Sequence, residues 1–146
     1  MISHIDNYGP NPNKLNDLIV YLADNIQNLK NINICVSKLN VTKEVMTKVL
    51  GEDIYKQFMK YRTISLNHQI KLHLLLPNNI NYTTEVSASI GLYISFKDYE
   101  KDILNNYKLD NQYKIYVPWD DSNLNSYNEN YPQSKLINIE RKQNDK

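Results

Sequence analysis

The feature of this sequence that most constrains its fold is a period-two alternation in the centre of the chain. Apolar side chains occupy even positions in two runs, at positions 64 to 76 and again at positions 86 to 96. Such alternation is typical of β-strands that bury one face. Pro77-Asn78-Asn79 separates the two runs and favours a turn. We therefore predict a long antiparallel β-hairpin that joins residues 63–76 to residues 82–97.

Two other segments show the spacing of three and four that is typical of amphipathic helices. The first covers residues 13–30, and the second covers residues 43–60, where Gly51 favours a break. His68 is expected on the buried face of the hairpin, unless residues 67–69 form a bulge. Shorter elements follow the same patterns: strands at residues 32–37, 112–117 and 135–140, and a helix at residues 99–107.

These elements predict one α+β domain. A chain of 146 residues suits a single hydrophobic core. We expect two amphipathic helices to pack on a mostly antiparallel sheet built around the long central hairpin. Residues 1–12 are predicted to be an N-terminal arm, residues 13–140 the domain and residues 141–146 a flexible tail. The polar residues 118–134 are predicted to form a long surface loop.

Charge and cysteine content narrow the function classes. Seventeen basic residues nearly cancel sixteen acidic ones, which argues against a nucleic-acid-binding protein. No apolar run approaches the 18 residues of a membrane span, so no membrane insertion is expected. Met1 to Pro12 lack an apolar signal segment, and the lone Cys35 suits a reducing compartment. We predict a cytoplasmic protein, although an absent signal does not rule out export by a machine that needs none.

No motif predicts catalysis. The three glycines form no phosphate-binding loop, and His68 and His73 are five apart, which puts them on opposite faces of one strand. Asp120 and Asp121 are the candidates for a divalent cation, but no third carboxylate is fixed near them. We therefore predict no catalytic residue, no cofactor and no metal, and a protein that is not an enzyme.

Aromatic and amide side chains instead favour contacts with other proteins. The chain has 12 Tyr and 22 Asn, which supply uncharged hydrogen-bonding surface. Its single Trp lies near several tyrosines in or beside the predicted polar loop, and Trp and Tyr are enriched at interface hot spots. The predicted partner-binding residues are Trp119, Tyr116, Tyr127, Tyr131 and Tyr93.

Two segments of the sequence resemble a protein family. Residues 49–55, with a Leu-Gly step and then Ile54-Tyr55, precede the basic-aromatic-Arg run Lys60-Tyr61-Arg62, which enters a predicted strand. Residues 90–96, with Gly91-Leu92-Tyr93, form a second segment that is similar to a later Leu-Gly-aromatic segment of the same family. Over roughly residues 15–96 this order resembles the C-terminal half of the TssG-like baseplate wedge proteins of type VI secretion systems. The resemblance implies a bacterial, non-catalytic scaffold that binds other subunits of a contractile particle, and it transfers no catalytic residue.

Three functions follow from these observations. The leading one is a structural or interaction protein in a hetero-oligomeric assembly, such as the baseplate of a contractile injection apparatus. The alternative is a small binding module of phage or mobile-element type that inhibits a target protein through the 118–131 segment. The third is a hydrolase that would use Asp120, Asp121 and one histidine.

Overall fold

Strands from both ends and the middle of the chain meet in one sheet. The computed structural model describes residues 1–7 and 9–139. Within these ranges the sheet has seven strands: β1 (Ile2–His4), β2 (Asn31–Cys35), β3 (Thr63–Ser65), β4 (Lys71–Leu75), β5 (Ser87–Leu92), β6 (Tyr113–Val117) and β7 (Lys135–Leu136). The helices are α1 (Pro12–Asn25), α2 (Lys43–Leu50), α3 (Glu52–Tyr61), α4 (Phe96–Tyr99) and α5 (Asp121–Asn130).

The sheet is mostly parallel, and the fold is mixed α/β. The strand order is β3-β4-β2-β5-β6-β1-β7, and among these strands β3 and β4 form the antiparallel pair. The other neighbours run parallel. The prediction of two helices on a mostly antiparallel sheet is therefore wrong in its detail, although helices do pack on a sheet.

The predicted central hairpin is also wrong. Its two halves, β4 and β5, do not pair with each other but lie on either side of β2, where Ile34 faces both Leu74 and Ile90. Residues 76–86 carry the chain across β2, a path that parallel strands require. The period-two alternation correctly indicated strands with a buried face, but it carries no information about their direction or partner.

A shorter hairpin forms earlier in the chain. β3 and β4 pair through a turn in which the Asn67 Oδ1 atom accepts hydrogen bonds from the backbone N–H groups of Gln69 and Ile70, at 2.7 and 2.8 Å. His68 lies in this turn and is exposed, so it is not on a buried strand face. Asparagine stabilises such turns because its side chain substitutes for a backbone acceptor.

The first face of the sheet is covered by α1, α2 and α3. The apolar side of each helix packs against the apolar strand side chains of this face. The helix α1 begins after Asn11, whose side chain caps it, and has Pro12 as its first residue. Gly51 separates α2 from α3 with a φ of 85°, a conformation that glycine adopts at little cost. The predicted break at Gly51 is confirmed.

The second face carries α4, a further wide helical turn at Glu100–Leu104, and α5. The predicted helix at 99–107 instead starts at Phe96, where the Ser95 side chain accepts a hydrogen bond from the Asp98 backbone. The predicted loop at 118–134 contains α5, which begins at the Asp120 cap. The sequence did not predict this helix, because α5 buries just two side chains, Leu124 and Tyr127, which are too few to give a recognisable apolar periodicity.

The ends of the chain differ from the prediction as well. The predicted N-terminal arm contains β1, which lies between β6 and β7, and residues of this arm begin α1. The predicted last strand is the two-residue β7. The predicted tail at residues 141–146 lies outside the described residues.

Tyr99 provides a test of packing on the second face. Its side chain is fully buried and its ring stacks on Tyr116 with centroids 4.2 Å apart, but its hydroxyl has no partner among the described residues. A buried hydroxyl without a hydrogen bond is destabilising. We expect Tyr99→Phe to raise the free energy of unfolding by about 1 kcal/mol in urea denaturation.

Tyr116→Phe is the matched control. The Tyr116 hydroxyl donates to the Ile94 carbonyl at 2.5 Å, so its removal should lower the free energy of unfolding by about 1 kcal/mol. Equal destabilisation by both variants would show that the Tyr99 hydroxyl is hydrogen-bonded in solution.

Candidate functional site

Trp119 and Tyr93, two of the predicted partner-binding residues, lie together at the carboxyl edge of the sheet. Their rings meet edge to face with centroids 5.0 Å apart, and Trp119 is 43% exposed. The strands bring them together, because β5 and β6 are parallel neighbours that end at Leu92 and Val117. The Tyr93 backbone N–H donates to the Val117 carbonyl at 2.9 Å, which fixes the spacing of the two segments.

The backbone around this pair is constrained. Tyr93 has a φ of 58°, a left-handed conformation that costs energy for a residue with a bulky side chain. Its hydroxyl accepts a hydrogen bond from the Asn11 backbone N–H at 3.1 Å, and the Gly9 N–H donates to the Trp119 carbonyl at 2.7 Å. Contacts from the segment before α1 therefore hold both residues in place.

This edge also contains the topological switch point of the sheet, which lies between β2 and β5. β2 and β5 are neighbours, but α2, which follows β2, packs on the first face, and α4, which follows β5, packs on the second. In open α/β sheets, ligands bind outside the carboxyl ends of the strands at such a point. Tyr93 directly follows β5, so the Trp119–Tyr93 pair lies beside this switch point.

The other predicted partner-binding residues belong to the core of the second face. Tyr116 and Tyr127 are fully buried, with ring centroids 5.2 Å apart, so they offer no surface to a partner in this fold. Tyr131 is half-buried, stacks on Tyr127 and donates its hydroxyl to Oε2 of Glu100 at 2.6 Å. Burial and the Glu100 carboxylate raise the pKa of Tyr131 to about 12.

Asp120 and Asp121 have local roles in α5. The Asp120 carboxylate accepts hydrogen bonds from the Asn123 backbone N–H and side-chain amide at 3.0 and 2.9 Å, which caps the helix. Asp121 is exposed in the first turn. In the part of the chain that is described, no three His, Cys, Asp or Glu side chains are grouped to hold a metal, and no histidine contacts either carboxylate.

A second candidate site, which the sequence analysis missed, is a cavity of about 230 Å³ on the second face of the sheet. It lies over the amino-terminal halves of β2 and β5 and the middle of β4. The strand residues that line it are mostly polar: Asn31, Asn33, His73 and Ser87. The connection between β4 and β5 completes it with Asn79, Asn81, Tyr82, Thr83 and Glu85.

A chain of hydrogen bonds runs across this face from Glu85 to Thr63. Asn31 Nδ2 donates to Glu85 Oε1 at 3.0 Å, and His73 Nε2 donates to Asn31 Oδ1 at 2.8 Å. The Thr63 hydroxyl completes the chain by donating to His73 Nδ1 at 2.9 Å. An ionised carboxylate accepts hydrogen bonds only, so Glu85 orients the Asn31 amide, which in turn selects the histidine tautomer.

Electrostatics favours the neutral ring that this chain requires. Burial lowers the pKa of His73, the nearby Lys71 lowers it further, and Glu85 acts in the opposite direction. The net effect keeps Nδ1 unprotonated near neutral pH, so it can accept from Thr63. Both ring nitrogens are occupied by protein groups, which makes His73 a structural member of the network.

Cys35 lies on the second face, opposite to Ile32 and Ile34 of the same strand. It is buried, and burial raises the pKa of its thiol to about 12, against a smaller opposing effect of a hydrogen bond with Ser89. A thiol that stays protonated is a poor nucleophile and a poor metal ligand. Cys35 therefore acts as a small packing residue in this fold.

Comparisons with known proteins do not place this chain in a family. No family model, no curated protein and no solved structure matches it. None of the helices in the described ranges combines the length and the apolar character that crossing a bilayer requires. The resemblance to the baseplate wedge family stays a prediction.

Proposed function

We propose that this protein is a non-catalytic interaction protein that binds a protein partner at the carboxyl edge of its sheet. The observation that carries the proposal is the exposed Trp119, held against Tyr93 beside the point where the helices that follow β2 and β5 diverge to opposite faces. A preorganised aromatic side chain loses little entropy on binding, which favours its use as an interface anchor.

The strained backbone of Tyr93 supports the same proposal. A left-handed tyrosine persists only where its surroundings stabilise it, and such residues cluster at binding sites. Here Asn11 and Val117 hold the residue through backbone groups, so that its ring supports the exposed indole. The pair therefore combines a rigid base with an accessible aromatic surface.

The narrower proposal concerns the kind of partner. The wedge resemblance favours other subunits of a contractile injection baseplate, and the alternative is a single target protein that this chain inhibits. Both proposals use the same aromatic edge. They differ in the number of partners recovered, because a baseplate subunit binds several stoichiometric partners and an inhibitor binds one.

The test is affinity purification of the tagged chain from its native host, read by quantitative mass spectrometry. We expect Trp119→Ala to reduce recovery of the principal partner about tenfold, since a central aromatic anchor contributes on the order of 1.4 kcal/mol or more to binding. A titration with the purified partner then gives the change in Kd.

Tyr107→Ala is the matched control, because Tyr107 is an aromatic residue that is 73% exposed and precedes β6, whereas Trp119 follows the opposite end of that strand. This variant should recover the partner as well as the wild type does. Recovery unchanged by Trp119→Ala, with the variant folded by circular dichroism, would contradict the proposal.

A further inference from the structure

The cavity on the second face has the composition of a ligand site rather than of a packing defect. Its volume is about 230 Å³, which is the volume of roughly eight water molecules in the liquid. This is smaller than the pockets that hold drug-sized ligands. Most of its lining residues are polar, although Leu75 and Leu109 also contribute apolar surface. Two of the polar residues, Asn31 and Asn33, are more than nine-tenths buried. A site of this kind accommodates a small polar head group.

Most of the hydrogen-bond donors on the cavity's strand side are already used within the protein. Asn31 Nδ2 donates to Glu85 and to Ser87, and the Ser87 hydroxyl donates to the Glu85 carbonyl at 3.0 Å. Asn33 Nδ2 donates to Ser89 Oγ at 3.1 Å and to Gln112 Oε1 at 3.4 Å. His73 donates to Asn31, as described above.

Among Glu85 and the strand side chains that line the cavity, the atoms left without partners are acceptors. Asn33 is 7% exposed, and its Oδ1 accepts no hydrogen bond from any described residue. Glu85 uses Oε1 for Asn31, while its Oε2 has no partner in the described ranges. These two oxygens give the cavity unused acceptors, and Glu85 gives it a negative charge.

No described cation neutralises this charge by a direct contact. The ion pair found in the described ranges, Lys101–Asp102, does not involve Glu85. Lys108 donates to the Ile80 carbonyl at 3.3 Å, and Lys71 is exposed. Tyr82, which lines the mouth and is 59% exposed, adds an aromatic face of the kind that attracts cations.

We propose that this cavity binds the protonated head group of a small primary amine, with Glu85 Oε2 and Asn33 Oδ1 as acceptors and the Tyr82 ring at the mouth. An ammonium group presents three donors and one positive charge, which complements two free acceptors and one free carboxylate. A divalent metal would need more oxygen ligands than these two side chains supply. The proposal does not depend on the Trp119–Tyr93 edge.

The test is an NMR titration of the full chain at pH 7 with n-butylamine, and in parallel with n-butanol and butyrate. We expect butylamine to shift the signals of Asn31, Asn33 and Tyr82 in a saturable manner. Butanol and butyrate should shift them at least about fivefold more weakly, because they lack the positive charge that pairs with a carboxylate. Stronger binding of butyrate, or equal binding of butanol, would overturn the proposal.

Variants locate the site. Glu85→Gln keeps an acceptor for Asn31 but removes the charge, and we expect it to weaken butylamine binding about fivefold. Glu129→Gln removes the same charge from an exposed position on α5 and should leave the Kd unchanged. Tyr82→Ala should weaken binding, and Tyr107→Ala should not. Wild-type affinity in Glu85→Gln would overturn the assignment.

Discussion

Replacement of Gly91 by alanine is expected to lower the free energy of unfolding by about 3 kcal/mol, near the upper end for overpacked cores. Gly91 lies in β5, where an added Cβ atom would overlap Cδ1 and Cε1 of Tyr99. The Tyr99 ring has no room to withdraw, because it stacks on Tyr116 and packs edge to face on Tyr127. Urea denaturation monitored by circular dichroism measures the change.

Two further variants test the cause of this loss. Gly51→Ala places a methyl group in open space but at a φ of 85°, so it should cost about 1 kcal/mol through backbone strain alone. In the double variant Gly91→Ala/Tyr99→Leu, the smaller side chain makes room for the methyl group. The two changes should then cost about 1–2 kcal/mol less than the sum of their separate effects. Strict additivity would show that the overlap is not the cause.

Asn31→Ala should lower the free energy of unfolding by a comparable amount, about 3 kcal/mol, because one buried amide serves several partners. Its removal takes the acceptor from His73 Nε2 and the donor from both Glu85 and Ser87. Asn125→Ala is the matched control, since Asn125 is exposed on α5 and its loss should change stability by less than about 0.5 kcal/mol.

Asn31→Asp tests the direction of the hydrogen-bond chain. The new carboxylate would face the Nε2–H group of His73 and favour the protonated ring, so we expect the pKa of His73 to rise above its wild-type value. An NMR titration of the histidine ring signals measures this pKa. A ring whose pKa does not rise would show that Nε2 is not the atom that faces position 31.

Much of the local structure could be predicted from the sequence because it depends on local patterns. The apolar stripe predicted α1, the low helix propensity of glycine predicted the break at Gly51, and alternation predicted β2 and β6 within one or two residues. Strand partners depend on how distant segments pack, and a period of two is the same for parallel and antiparallel strands. The hairpin prediction failed for that reason.

The two candidate sites differ in how far the sequence could predict them. Trp119 and Tyr93 stood out as residue types common at interfaces, although their contact required the parallel pairing of β5 and β6. The cavity was hidden because Asn31, Asn33 and Ser87 have the polarity of solvent-facing strand residues. The signal that could have found it is the matched run of small polar side chains at alternate positions of β2 and β5.

The position of β1 inside the sheet has a consequence for how the protein is made. β1 pairs with β6 and β7, so its hydrogen-bonding partners lie about 110 residues or more further along the chain. During translation β1 therefore leaves the ribosome long before any strand that can pair with it, while α1 through β5 can assemble earlier. Completion of the sheet is a late, slow event, and chains that still lack β6 expose the open edge of β5 to other chains.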